Sequence, residues 1–390
     1  MTYYVLIAFC FVILVSYFFD ITSKHTKIPG VLLLMLTGMA IRSFTDYYKL
    51  NIPGITDILP IMGTLGLVLI VLDSSLDLKL SYEKSRMIIS SLSSSILLFL
   101  VFVGFFTLIS VHVLHYDVKT AMINIIPFGV ISSAVAIPSA FDLSEKDREF
   151  VIYESSMSDI FGILAFNYII YSNGSLNAGF FIFFAEIIIT LMVAFLFSAV
   201  LTVMLHKINH NVKHIVIITF IILIYALAKL IHLPSLLVVL VFGLIMNNNI
   251  LFKNNYSMKI INFDEFNVDL NAFKNIAAEL TFIVRSFFFI LFGFYTRLTD
   301  LLSFKNLIIA CIIVVAIFVI RSLYLKSILH LPLNPLLYFA PRGLITILLF
   351  LSIPQSMLLP IMSAGVITQV IFMTILIMTF GNMMFQKVEE

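Results

Sequence analysis

The sequence predicts an all-α polytopic membrane protein of about 13 transmembrane helices, built as inverted repeats whose fifth and twelfth crossings are broken. Three observations predict it. Hydrophobic residues make up 61% of the 390 residues and charged residues 11%, with a mean hydropathy of +1.12. Soluble domains run near a quarter charged, so this chain cannot cover its own surface with polar groups. Apolar runs of bilayer length, about 20 residues, recur from end to end. Two of those runs are interrupted by proline and glycine in matching positions, as in a repeat protein with a site near the midplane.

Taken in order, the runs fall near 3–19, 28–44, 57–73, 87–114, 119–140, 149–171, 178–205, 214–231, 235–251, 273–296, 305–328, 333–352 and 358–381. The first, "MTYYVLIAFCFVILVSYFFD", has no basic leader and no small-residue cleavage site, and reads as a retained helix. Connections are short throughout. The longest polar insert, "NNYSMKIINFDEFNVDLNAFKN", reads as an amphipathic linker before the tenth crossing. Only "QKVEE" comes after the last crossing, so residues 1–390 are expected to form a single transmembrane domain with no soluble C-terminal domain.

Charge places the loops. One set of loops and the C-terminus carry Lys24, Lys27, Lys79, Lys84, Arg86, Lys146, Arg148, Lys207, Lys213, Lys253, Lys259, Lys274, Lys326 and Lys387. The opposite set carries Arg42, Lys49, Lys119, Lys229, Arg297 and Lys305. Cytoplasmic loops hold the excess of Lys and Arg, so the N-terminus is expected outside and the C-terminus in the cytoplasm. A bacterial inner membrane is the expected location. The net charge of +2, without a basic tract, is too small to argue for nucleic acid, and none is expected as a partner. Cys10 and Cys311 lie in apolar runs with no metal or redox spacing, and no cofactor is expected. The segment "LHKINHNVKH" gathers three histidines and two lysines. It reads as a polar linker, with a pH sensor as the alternative, because histidine titrates near neutrality.

Ionisable groups at bilayer depth are costly and usually functional. Five occur here: Glu154 and Asp159 in the sixth crossing, Arg285 in the tenth, Arg321 in the eleventh and Arg342 in the twelfth. Glu154 and Asp159 flank Ser155, Ser156 and Ser158 in "YESSMSDIFG". Residues four apart share a helix face, so Glu154 lies with Ser158 and Asp159 with Ser155. Five residues turn the two acids about 140° apart, which separates their partners. The three serines offer neutral oxygens, the hard ligands an alkali cation prefers; the alternative for each is a bond to its own i−4 carbonyl. For the acids the alternative is structural, each neutralised by an arginine.

Helix five reads "NIIPFGVISSAVAIPSAF" and helix twelve "LPLNPLLYFAPRGLITILLF". Proline removes an i to i−4 bond, and unwound backbone survives at this depth only where protein or water satisfies it. Simple kinks are the alternative.

These residues resemble the monovalent cation:proton antiporter superfamily, the sodium/hydrogen exchangers, over nearly the whole chain. "HTKIPGVLLLMLTGMAI" is similar to that family's second helix and "LGLVLIVLDSSLDLKL" to its third. "LAKLIHLPSLLVVLVFGLIMNN" is similar to the eighth and ninth, and "RSFFFILFGFYTRL" to the tenth. "ESSMSD" resembles the sixth-helix motif of the electroneutral branch: an acid, a serine, two variable residues, an asparagine and an aspartate. The resemblance implies that Asp159 binds a monovalent cation and a proton in turn. It pairs Glu154 structurally with Arg321 in "FVIRSLYLK" and matches Arg342-Gly343 to the Arg-Gly pair of the broken twelfth helix. Two departures stand out: Ser158 replaces the asparagine, and Ser132, Ser133 and Ala134 replace a Thr-Asp-Pro of the fifth helix.

The same resemblance implies exchange of Na+, K+ or Li+ for H+ by alternating access. Oxygens from Ser155, Ser158, Ser132 and Ser133 would surround Asp159. A core of about 87–171 and 305–381 would move against a dimerisation part of about 1–80 and 214–296, giving a homodimer. Potassium efflux and a cation channel on the same scaffold are the nearest alternatives. An intramembrane aspartyl protease is disfavoured, because Asp159 has no intramembrane aspartate to meet; Asp73 and Asp77 end the third crossing. The chain is expected not to be an enzyme.

Overall fold

A computed structural model describes residues 2–26, 28–49, 55–80, 84–140, 143–171, 176–207, 210, 212–231, 233–248 and 263–385. Lys27, Lys253, Lys259, Lys387, His232, positions 254–262 of the polar insert, and the terminal "QKVEE" lie outside them, as do 208, 209 and 211 of the histidine segment. The protein is an all-helical membrane protein. Among the described residues, eight stretches are long and apolar enough to cross a membrane. Several of the other expected crossings are carried by helices that are shorter or more polar. One has only 13 residues, Ser235–Asn247, and another, Glu145–Tyr171, opens on a charged turn.

One compact unit comprises Met1–Thr64, Arg86–Ile169 and Ile283–Glu390. It opens with α1 (Thr2–Thr26), α2 (Gly30–Tyr47) and the first turns of α3 (Ile55–Asp77). Then come α4 (Ser85–His112), α5 (Val118–Gly129), α6 (Ser133–Ser139) and α7 (Glu145–Tyr171). Small residues let helix backbones touch in lipid. A Cβ at Gly38 of α2 would lie 2.1 Å from the Ile290 carbonyl oxygen, and one at Gly293 would lie 2.2 Å from that of Met35. Only glycine fits at this crossing.

The other unit, Leu65–Ser85 and Ile170–Phe282, is built around α8 (Leu176–Lys207), α9 (Lys213–Leu230) and α10 (Ser235–Asn247), with α8 packed on both of its neighbours. Asn248 anchors the end of α3 by donating to the Leu78 carbonyl (2.9 Å) and accepting from the Leu80 N–H (2.6 Å). Lys213 and Asp269 form an ion pair at 2.7 Å. The polar insert differs from the linker expected: from Phe263 onward it is the first turns of α11 (Phe263–Tyr295). Its apolar positions, including buried Phe266, Leu270 and Phe273, recur at helical spacing and extend the membrane segment as one continuous helix.

The first unit is completed by α12 (Leu298–Leu301), α13 (Phe304–Ser327), a 3-10 turn at Leu336–Tyr338, α14 (Leu344–Leu351), a 3-10 turn at Gln355–Met357 and α15 (Ala364–Met384). Here α13 packs along α15, and α14 packs on α5. Between α5 and α6 the backbone is extended, with φ/ψ of −85°/128° at Val130 and −80°/114° at Ser132. Residues 339–343, ahead of α14, are also non-helical. These two non-helical stretches meet: the Ser132 N–H donates to the Pro341 carbonyl at 2.9 Å.

Candidate functional site

The site begins with the start of α7. The Asp147 N–H donates to Ser144 Oγ at 3.2 Å, and that hydroxyl donates to Asp147 Oδ2 at 2.6 Å. Such a cap satisfies an otherwise unpaired helix donor and fixes where the helix begins. At 1.5 Å per residue, Glu154 and Asp159 then lie about 15 and 22 Å along from Ser144, near the middle of the helix.

On one side of α7, Glu154 receives Arg321 of α13 in a two-pronged pair, Nη1 to Oε1 and Nη2 to Oε2, both 2.8 Å. Both side chains are 1% exposed. Ser94 of α4 donates a short hydrogen bond to Glu154 Oε1, and Arg321 Nε donates to the Leu336 carbonyl at 2.9 Å. The carboxylate is thus matched in charge and hydrogen bonding, the condition under which a buried ion pair holds together.

Asp159 faces a different neighbour. Its Oδ2 accepts from the Ser133 N–H at 3.2 Å and from the Ser133 hydroxyl. Its Oδ1 is buried and has no hydrogen-bond partner among the described residues; the Ser132 and Ser156 hydroxyls are in the same condition. Ser158, the preceding residue, accepts from the Ile131 N–H at 2.9 Å. Consecutive residues of α7 therefore satisfy backbone donors on both sides of Ser132, in the stretch where helical bonding has been given up. The Ser155 hydroxyl instead donates to the Val151 carbonyl of its own helix at 2.7 Å.

Arg342 is buried in the second extended stretch. Its Nε donates to the Phe128 carbonyl at 2.6 Å and its Nη1 to the Ala340 carbonyl at 3.0 Å, while its N–H donates to Thr374 Oγ1 at 3.0 Å. The guanidinium thereby ties the end of α5 to the stretch before α14. A cavity of about 20 Å³ lies beside it, lined by Ser95, Gly129, Ser158, Arg321 and Arg342 among others. That is space for about one water molecule. Arg285, on α11, donates from Nη1 to the Ala134 carbonyl of α6 at 3.4 Å.

The structure thus joins Asp159 to Ser133, sets Ser158 against the backbone at Ile131 and in the small cavity beside Arg321 and Arg342, and pairs Glu154 with Arg321. Sequence reasoning misses Ser94, although the run "SSLSSS" at 90–95 is a visible polar signal in an apolar crossing. It also misses Asn124, whose Nδ2 donates to the Met357 carbonyl (2.7 Å) and whose Oδ1 accepts from the Leu359 N–H (3.1 Å). A single asparagine in a crossing carries no signal of such a distant partner.

Two solved structures share this fold. One is the sodium proton antiporter MjNhaP1 from Methanocaldococcus jannaschii at pH 8, with a TM-score of 0.74 and 19% identity over 97% of this chain and 98% of that one. The other, an electron-microscopy structure of the same antiporter, gives 0.71 and 18% over 97% and 95%. No curated protein sequence matches the chain. The model of the family described as "Sodium/hydrogen exchanger, transmembrane" matches residues 9–387, nearly the whole chain, and with that match this all-helical membrane protein belongs to the sodium/hydrogen exchanger family of monovalent cation:proton antiporters.

Proposed function

We propose that this chain exchanges one monovalent cation, Na+ foremost and K+ or Li+ as alternatives, for one H+ by competition at the Asp159 carboxylate. One observation carries the reading: Asp159 is buried, with Oδ2 held by Ser133 and Oδ1 without a hydrogen-bond partner among the described residues. A buried carboxylate is stable only when neutralised or paired. A proton on Oδ1 does this, and so does a dehydrated cation. The two compete because each supplies the single positive charge that the group lacks. The Ser132, Ser133 and Ser158 oxygens would complete the cation's shell, and Ser155 keeps lone pairs free despite its bond to Val151. In this reading the Glu154–Arg321 pair is a structural element.

Alternating access would result if the core, about 87–171 and 305–381, moves relative to a dimerisation part of about 1–80 and 214–296. The N-terminus would lie outside and the C-terminus would face the cytoplasm, a reading the Lys/Arg distribution supports. The test is Asp159→Asn, which keeps an oxygen acceptor for Ser133 while removing the exchangeable charge. The variant is expected to insert and remain folded, and to lose cation-induced proton release in everted vesicles for Na+, K+ and Li+ alike. Wild-type exchange by this variant would overturn the reading.

A further inference from the structure

Away from Asp159, α4 and α13 form a groove of about 530 Å³ lined by Val101, Phe105, Cys311, Val315, Val319 and Ile320 with two further apolar residues. Both helices are long and apolar enough to span a bilayer, and Val101, Phe105, Val315 and Val319 are exposed on this side. The helices run antiparallel here. Tyr324 bonds Ser93 at 3.0 Å, and from there rising numbers on α4 meet falling numbers on α13. The start of α4 and the end of α13 therefore share one membrane surface. Exposed Arg86 and exposed Lys326 mark that end of the two helices.

At 1.5 Å per residue, the groove begins about 9 Å below Lys326 and its α13 wall runs about 14 Å further. The middle of a bilayer lies about 15 Å below the edge of its hydrocarbon core. The upper part of the groove thus lies at the depth of the lower part of an acyl chain suspended from that surface, and its deeper part passes the middle of the bilayer. Water has no polar partner in such a lining, whereas hydrocarbon has contacts along its length. Two cations at the same end complement a phosphate.

We propose that this groove is a binding site for one acyl chain of an anionic phospholipid whose phosphate is held by Arg86 and Lys326. The inference is independent of the ion chemistry at Asp159.

The chain contains no tryptophan, so an introduced indole reports without background. Phe105→Trp places one in the groove, and Phe220→Trp places one on the exposed face of α9. Each protein is reconstituted in phosphatidylcholine vesicles with increasing fractions of phosphatidylglycerol brominated in mid-chain. The groove indole is expected to be half-quenched at a several-fold lower lipid fraction than the α9 indole. Lys326→Gln in the Phe105→Trp background is expected to raise that fraction about five-fold, the worth of one cation near an anionic surface. Ala316→Phe, which fills the groove, is expected to erase the difference between the two positions. Equal quenching at the two positions overturns the proposal. So does equal quenching of the groove indole by brominated phosphatidylcholine, or a difference that survives both Ala316→Phe and Lys326→Gln. The Lys326→Gln arm alters only a surface side chain, so it decides the matter even if Ala316→Phe does not fold.

Discussion

Glu154 and Asp159 lie on one helix, five residues apart, and their surroundings separate their tasks. Glu154 is met by two guanidinium nitrogens and a serine hydroxyl, leaving its charge matched. Asp159 is met on one oxygen by one serine. Removing one partner of a buried pair strands the other charge and costs about 3–5 kcal/mol, far more than a surface pair would. Glu154→Gln is therefore expected to lower unfolding stability by that amount in a detergent melt, through the stranded Arg321. Its apparent cation affinity should change much less. A double variant, Glu154→Arg with Arg321→Glu, should recover part of the lost stability. A Glu154→Gln protein as stable as wild type would show that the pair contributes nothing.

At the scale of the element, two non-helical stretches pass so closely that one residue has no room for a side chain. A Cβ on Gly343 would lie 2.7 Å from Ser132 Oγ and 2.9 Å from Val135 Cγ2. Both neighbours sit in or beside the stretch that presents Ser133 to Asp159. Gly343→Ala must push the two stretches apart, and overpacking of this kind costs about 1–3 kcal/mol. The expected outcome is a folded protein with a lower melting temperature and a several-fold lower exchange rate. Gly104→Ala is the matched control, since nothing lies within 4 Å of its Cβ position. Equal exchange by both variants would separate this crossing from function. Asn124 serves the same layer: Asn124→Leu leaves the Leu359 N–H and the Met357 carbonyl without this partner. A loss of about 1–3 kcal/mol is expected for stranded buried groups, read in the same melts.

For the whole molecule, the consequence is charge balance. In the proposed cycle only Asp159 exchanges its proton, because Glu154 is held by Arg321 and an arginine stays charged under all working conditions. One proton out for one cation in moves no net charge. Exchange in proteoliposomes should then be insensitive to an imposed membrane potential, measured as the cation-driven proton flux at clamped potentials. A rate that changes several-fold with potential would require a second proton carrier.

The sequence alone determined the solvent and the inventory. Its 61% hydrophobic composition rules out water on all sides, and the bilayer-length runs give the helical class. The rarity of charge inside those runs picked out Glu154, Asp159, Arg285, Arg321 and Arg342, because an isolated charge in lipid is too costly to be incidental. Helical periodicity showed that the two acids point apart. Which partner each one meets was decided by tertiary structure. Ser94 lies 60 residues before Glu154 and Arg321 lies 167 after it, separations over which local pattern carries no information. The same holds for the Ser132–Pro341 contact and for the Asn124 bridge to Met357 and Leu359. Ser155 and Ser158 look alike in sequence, yet one bonds its own helix and the other accepts from an unwound neighbour. Only the packing of that neighbour beside α7 distinguishes them, since a hydroxyl takes whichever partner lies within reach.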